Sequence, residues 1–465
     1  MVKLLVANRG EIACRIMRSA RDLGWKTVAI HSDPDAQALH VSLADESVAI
    51  GGSRAADSYL IGQKIIQACR QTGATVVHPG YGFLAESAEF AREVASAGLT
   101  FVGPHADTIE QMGDKARARD AAIYAGVPVL PGSSRFALGD LDGVTFSAQK
   151  IGYPLLVKAT AGGGGIGMRR VDRAEDLAAA IATTQQLAAR AFGDATVYLE
   201  RYIDRARHVE VQVFGFGDGR ALHLYERDCS IQRRFQKIIE ESPAPDISAS
   251  TLSRMYEAAT AIACAVSYAG AGTIEFIVDA ETGEFYFLEM NTRIQVEHPV
   301  TEMVTGVDLI ALQLQLAMDQ LHFEDITIPK PRCHAIECRI YAEDATRNFL
   351  PSPGRLTEFR TPENSSNVRV DTGVREGDTI TPFYDPMIAK LICRGESREE
   401  AIATALRALD ATSISGVSTN IAYLKAILNH REFSAGRVHT GFIAQHGAEL
   451  SSASSQRHVR SQAQA

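Results

Sequence analysis

Two strand-like runs, Thr273-Ile274-Glu275-Phe276-Ile277-Val278-Asp279 and Phe285-Tyr286-Phe287-Leu288-Glu289-Met290-Asn291, flank the turn residues Glu281-Thr282-Gly283. If Asp279 pairs with Phe285, the antiparallel register sets Glu275 directly opposite Glu289, side chains about 5 Å apart on one face. Two carboxylates so placed repel unless a cation lies between them. Asn291 faces the same way two residues on and adds a neutral oxygen, the hard-oxygen set expected for Mg²⁺ with nucleotide phosphates. The bland alternative is a solvated strand face, against which the neighbouring phenylalanines argue.

Immediately after come Arg293, Gln295 and Glu297. Continued strand alternation brings a cation, an amide and a carboxylate base to one face, an arrangement suited to activating an acid and stabilising a developing oxyanion. An Arg293–Glu297 ion pair of purely structural value stays open. Upstream, Lys158 precedes Ala159-Thr160-Ala161 and then four consecutive glycines, Gly162 to Gly165. Such a run frees backbone N–H groups to approach phosphate oxygens, while Lys158 supplies charge, although the Walker spacing is lacking and a merely flexible loop would read the same. Glu200 sits on the strand-like Thr196–Tyr202 run, and His208, Glu210 and Gln212 share one face of the next; His208 alone reads as structural more readily than as a ligand. The segment from Glu226 to Lys237 is dense in cations, as an anionic substrate requires.

These residues need a scaffold, and the periodicity supplies one. Lys3–Ala7, Thr27–His31, Ala74–His78 and Thr100–Val102 are short apolar strands, with Ile12, Ile16, Ala20 and Leu23 at helical spacing between the first two. This predicts a parallel, doubly wound α/β unit whose first turn, Asn8-Arg9-Gly10-Glu11, lacks the dinucleotide fingerprint. A small mobile lid is expected next, followed by alternating strands, and the Ser/Gln/Ala-rich end from about Ser451 reads as disordered. The expected division is 1–112, 113–204 (linker and lid), 205–332, 333–448 and a tail at 449–465.

The 465 residues, 46% hydrophobic, can bury more than one core. A net charge of -9, from 47 Lys plus Arg against 56 Asp plus Glu, argues against a nucleic-acid or anionic-membrane surface. No apolar run reaches the roughly 18 residues of a membrane span, and Arg9 and Glu11 interrupt the N-terminal stretch before it could serve as a signal peptide, so a cytoplasmic location is expected, or a lumen reached after removal of a segment not present here. Seven scattered cysteines favour reduced thiols, and Cys333 and Cys338, five apart on a strand, face opposite ways and make a poor zinc pair.

With these pieces assembled, the chain resembles the biotin carboxylase family over essentially residues 1 to 445. The carrying motifs are Ala7-Asn8-Arg9-Gly10-Glu11-Ile12-Ala13, His78-Pro79-Gly80-Tyr81-Gly82-Phe83-Leu84, the glycine loop, Glu226-Arg227-Asp228-Cys229-Ser230, and above all the run from Glu289 through Arg293-Ile294-Gln295-Val296-Glu297-His298 to Pro299. The resemblance implies the three-part ATP-grasp architecture: an N-terminal doubly wound α/β domain, the lid and a C-terminal mixed domain. It implies that Lys115, Lys158, Glu200, Arg201, Ile203, His208 and Gln232 hold ATP, with Gly164 and Gly165 over its phosphates, and that Glu275, Glu289 and Asn291 bind Mg²⁺ or Mn²⁺. Lys237, Arg293, Gln295 and Val296 would hold bicarbonate, and Glu297 would deprotonate it for attack on the γ-phosphate. Carboxyphosphate would then yield CO₂ and phosphate, the phosphate taking the biotin N1 proton while Arg293 stabilises the enolate; Arg339 would contact biotin or carboxyphosphate.

The implied partners are a biotin carboxyl carrier protein and carboxyltransferase subunits, with a homodimer as the implied assembly. Biotin would arrive on the separate carrier, since no Met-Lys-Met tripeptide occurs in these residues. Phe235 stands where the family usually has His, Ile166 where it has Lys or Arg, Arg201 for a common Lys and Tyr341 for a common Asn. Two other readings share much of this pattern: another ATP-grasp carboxylate ligase, and a catalytically weakened nucleotide-binding paralogue.

Overall fold

The computed structural model describes residues 2–160, 167–234 and 236–462. Its N-terminal part is a five-stranded parallel sheet in the spatial order Glu46–Ala49, Lys26–His31, Lys3–Val6, Val76–His78, Thr100–Phe101. Leu4, Leu5 and Val6 are fully buried because helices cover both sheet faces, the usual fate of an all-parallel sheet. Gly10, at φ +66°, turns the chain from the first strand into the helix Gly10–Asp22. Both switch-point loops of this unit, after Val6 and after His78, lie at the carboxyl ends of their strands, where open α/β sheets place ligands.

The lid is a three-stranded antiparallel sheet, Met168–Val171, Leu155–Ala159 and Val197–Arg201, packed by the helices Val144–Ile151 and Leu177–Phe192. It has a core of its own in Phe136, Leu155, Val157, Ile181, Val197 and Leu199.

An eight-stranded antiparallel sheet carries the rest, in the order Phe285–Asn291, Ala269–Asp279, Ala206–Phe216, Ala221–Arg233, Gln236–Ser242, His334–Tyr341, Met387–Gly395, Val368–Thr372. Residues on either side of the 332/333 division thus share one continuous sheet. Alternation along the 206–216 strand sends Val209, Val211 and Val213 to one face, against Met255, Ala259 and Ile262 of the helix Ala249–Ala265. The other face takes His208, Glu210 and Gln212, which are buried as well. A polar face can be buried only if its groups are paired, so this side of the sheet must be a network.

Two expectations change at this level. The polar end of the chain is helical: Phe442–Gln462 is one helix, anchored by the fully buried Phe442 and by Leu450, and its Ala, Gln and Arg content carries helix propensity that outweighs the low-complexity composition. The segment 292–297 is not a strand. The ladder stops at Asn291, and an irregular stretch leads through a turn into the helix His298–Thr305, with Glu297 as its N-cap residue. Pro299 at the second helical position fits that start.

Candidate active site

The two carboxylates predicted to face each other do so: Glu275 pairs with Glu289 in the ladder. The turn register behind that prediction is nevertheless off by one, since Phe285 pairs with Val278 rather than Asp279. A bulge restores it. Phe276 pairs with Phe287 and Glu275 with Glu289, so Leu288 is the extra residue, and its side chain joins the cavity wall.

That cavity, about 460 Å³, lies between the lid and the polar face of the large sheet. It gathers Lys115, Lys158, His208, Gln232, Lys237, Glu275, Glu289, Asn291, Arg293, Gln295, Val296, Glu297 and Arg339 from the sequence-derived set. Glu200 stands beside it, accepting from Lys158 Nζ at 2.7 Å. Arg201 and Ile203 are not brought there; they line a separate cleft with Tyr153 and Asp279, on the outer side of the strand that carries Glu200. Gly164, Gly165, Ile166 and Phe235 lie outside the described residues.

The centre of the network is Lys237. Its ammonium donates to Glu297 Oε1 at 2.6 Å, Glu210 Oε2 at 2.7 Å and Glu275 Oε1 at 3.0 Å. Burial would lower this lysine's pKa, but the surrounding carboxylates outweigh burial and hold it well above the ordinary lysine value. Burial likewise would raise the Glu297 carboxyl, yet Lys237, Arg339 and Arg227 together keep it well below the usual range. Arg339 Nη2 donates to Glu297 Oε2 at 3.0 Å. Glu297 is therefore an ionised base clasped by two cations.

Glu275 is held in the same way: burial opposes its ionisation, while Lys237 and His208, whose Nε2 lies 3.0 Å from Glu275 Oε2, favour it. His208 bonds Gln232 on its other nitrogen at 2.9 Å while lining the cavity. Glu289 is the exception, its pKa raised by burial and then by Glu275. That uncompensated repulsion, between carboxylates on one face, is what a divalent cation would relieve, so the pair fits a hard metal ion. Asn291 here turns its amide nitrogen to Glu275 Oε1 at 2.9 Å and accepts from Arg293 at 3.0 Å. Its oxygen reaches the carboxylate pair only after the amide rotates.

Several residues were given no role by sequence reasoning, although Arg227 lies in one of the motifs that carry the family resemblance. Arg227, fully buried, donates to Glu210 at 2.6 Å, Gln212 at 2.7 Å, Thr301 at 2.9 Å, Thr273 at 3.1 Å and Gln295 at 2.7 Å. It thereby aims the Gln295 amide N–H at Glu275 Oε1, 3.1 Å away. Glu86, just past the turn-rich 78–84 segment, accepts from Arg293 Nε at 3.0 Å and ties that arginine to the N-terminal domain. Lys390, fully buried, donates to the Val296 carbonyl at 2.9 Å and lies 3.1 Å from Glu11. For Lys390 the available signal was a charge inside the otherwise apolar 387–393 run, and for Arg227 its place in the cation-rich 226–237 segment; Glu86, in a turn, carried none.

A second, more apolar cleft of about 560 Å³ opens beside the first, lined among others by Tyr81, Phe83, Tyr341 and Tyr384. The two share Arg293, Val296 and Arg339 as a common wall. Two cations, Arg293 and Arg339, thus stand at the junction of a carboxylate-rich cavity and an apolar cleft, with the Glu297 carboxylate and Lys237 on the cavity side.

Comparison with known proteins agrees with this geometry. Residues 1–109 match the biotin carboxylase N-terminal domain, 114–322 the ATP-binding domain of the carbamoyl-phosphate synthase L chain, and 337–445 the biotin carboxylase C-terminal domain. Biotin carboxylase 1 of Bacillus subtilis is 49% identical, over 95% of this chain and 98% of that protein. The mitochondrial methylcrotonoyl-CoA carboxylase subunit alpha of Arabidopsis thaliana is 50% identical over 96% of this chain, which spans 61% of that relative's length. A biotin carboxylase-β-γ-ATP complex from Campylobacter jejuni superposes with a TM-score of 0.88 at 42% identity, covering 96% of this chain and 98% of that one. The biotin carboxylase domain dimer of Hydrogenobacter thermophilus 2-oxoglutarate carboxylase, with MgADP, ADP and bicarbonate, gives 0.87 at 43% identity with the same coverage. The chain belongs to the biotin carboxylase family.

Proposed function

We propose that this protein is the ATP-dependent carboxylase component of an acyl-CoA carboxylase: a ligase that activates bicarbonate with ATP and transfers the carboxyl group to biotin on a carrier protein. The observation that carries the proposal is Glu297, buried and ionised in the carboxylate-rich cavity between Lys237 and Arg339, the latter in the wall shared with the apolar cleft. Lys115, Lys158, His208 and Gln232 line the nucleotide side, with Glu200 holding Lys158 in place. Glu275 and Glu289 would hold Mg²⁺ or Mn²⁺, with Asn291 as an auxiliary ligand; the ion supplies charge neutralisation for the nucleotide phosphates.

Lys237, Arg293 and the Gln295 amide bind the bicarbonate anion, and Glu297 takes its proton, so that the carbonate oxygen can attack the γ-phosphate. The shared wall of Arg293, Val296 and Arg339 then faces the biotin ureido group presented through the apolar cleft, and Arg293, braced by Glu86, stabilises the enolate oxygen. The Hydrogenobacter relative, described as a dimer with bicarbonate and MgADP, supports these ligands and a homodimeric assembly. The methylcrotonoyl-CoA carboxylase relatives support carrier and carboxyltransferase partners. Among the described residues no single helix is long and apolar enough to cross a membrane.

The test is phosphate release by the purified protein with ATP, Mg²⁺ and bicarbonate, with and without free biotin. Release should require bicarbonate and rise with biotin. Equal turnover in bicarbonate-depleted buffer would sink the proposal, and turnover that depends on an added amine instead would point to a different ligase.

A further inference from the structure

Two glutamates that the mechanism above does not use face each other across the Gln236–Ser242 and His334–Tyr341 strands. Glu240 pairs directly with Glu337, and both are fully buried. None of their four side-chain oxygens has a hydrogen bond from a described protein group, although Glu240 Oε1 is in ion-pair contact with Arg339 Nη2. That same nitrogen donates to Glu297 Oε2 at 3.0 Å. One guanidinium N–H₂ group is therefore shared by two carboxylates, Glu297 on the cavity side and Glu240 within the sheet.

We propose that Glu240 is a positioning residue for the reaction: by competing for Arg339 Nη2, it limits how tightly Arg339 clasps Glu297 and so keeps Glu297 a competent base. The inference rests on the functional proposal above. Like charges placed opposite each other on neighbouring strands repel, so the buried pair holds a proton. Burial, then Glu240 itself, keeps Glu337 protonated, its pKa well above the ordinary range. Burial and Glu297 push Glu240 up to about 7 against the pull of Arg339. The groups facing Glu240 are Arg339 and Glu337 from one neighbouring strand, Cys229 from the other, Glu297 ahead of the His298–Thr305 helix, and Lys237 on its own strand, with Lys390 beyond Glu337.

Removing the charge of Glu240 leaves Arg339 to Glu297 alone, which stabilises the Glu297 carboxylate and weakens it as a base. Glu240→Gln should therefore slow bicarbonate-dependent ATP cleavage roughly three- to tenfold at pH 8, with the ATP KM unchanged. At pH 6, where Glu240 is mostly protonated in the wild type, the two proteins should converge. Taking their ratio at each pH cancels the changing bicarbonate supply. Glu337→Gln replaces a neutral acid by a neutral amide and should stay within about twofold of the wild type. A variant-to-wild-type ratio that is flat across pH, equal loss in both variants, or a fall in ATP affinity and thermal midpoint together would overturn the inference. A wild type whose ATP cleavage ignores bicarbonate would overturn it together with the functional proposal.

Discussion

Replacing Lys237 by Gln is the sharpest probe of the network, because three buried carboxylates lie within 3.0 Å of its ammonium and, among the described residues, Glu275 has no arginine as a second counter-charge, whereas Glu210 has Arg227 and Glu297 has Arg339 at comparable range. Each pair is worth about 5 kcal/mol in Coulomb terms at an effective dielectric near 20, most of which offsets desolvation. Breaking a buried pair from one side typically costs about 3–5 kcal/mol net, and that is the loss expected near neutral pH. The pH dependence carries the stronger test. In the wild type Glu275 and Glu297 are held below their ordinary values, so their contribution to stability is present above the unfolded pKa and is lost as pH falls through the folded values. Without Lys237, Glu297 keeps Arg339, but burial and the facing Glu289 raise the folded value of Glu275 above its unfolded one, and for that group the sign reverses: the variant is least handicapped in acid and loses stability as pH rises through the raised value. The gap in thermal midpoint between wild type and Lys237→Gln should therefore widen from pH 5.5 to pH 8, and Lys237→Arg should close most of it. A gap that stays constant with pH, or a variant as stable as the wild type at pH 8, would refute the electrostatic account of this cluster.

Glu297→Gln should lower bicarbonate-dependent ATP cleavage by about 10² or more while nucleotide binding, followed by calorimetry, is retained. Arg227→Met should cost about 3–5 kcal/mol of stability, read as a lower midpoint in thermal unfolding, because it leaves Glu210 without its closest counter-charge and Gln295 without the donor that aims it. Chelation of divalent ions should abolish ATP cleavage and remove the rise in thermal midpoint that MgADP is expected to give, while the midpoint of the nucleotide-free protein stays where it was. Ile166→Lys combined with Phe235→His should lower the ATP KM several-fold with little effect on bicarbonate dependence, since each restored polar or charge-assisted contact is worth about 1–3 kcal/mol; unchanged or weaker ATP binding in calorimetry would show that this chain compensates for both residues.

What the sequence makes legible follows from what periodicity encodes. Alternation placed Glu275 and Glu289 on one strand face, and it placed them opposite each other despite a wrong register at the turn, because the Leu288 bulge added the one residue that the turn had misplaced. Alternation failed at Arg293, Gln295 and Glu297, where the ladder ends, although these side chains do converge. They converge through other means: Glu86 holds Arg293, Arg227 holds Gln295, and Lys237 with Arg339 holds Glu297. Each of those partners is distant in sequence, so no local pattern announces it. Arg201 and Ile203 illustrate the converse, since residues one and three past Glu200 share its neighbourhood in sequence but open onto another cleft.

The cation-rich run from Glu226 to Lys237 shows why charge in a sequence is ambiguous until its partners are known. Read locally, it is a solvated face or an anion site, yet Arg227 is fully buried and spends its donors inside the protein, while Lys237 reaches the cavity. The difference lies on the facing strands, where Glu210, Gln212, Glu275 and Thr273 occupy the polar positions of otherwise apolar ladders. A strand with a buried apolar face and an equally buried polar face cannot be stable unless its polar groups are mutually satisfied. That requirement fixes Arg227 and Lys237 between carboxylates and leaves Glu297 ionised in a site where burial alone would protonate it. The same constraint that lets this sheet fold thus sets the base that its proposed chemistry needs.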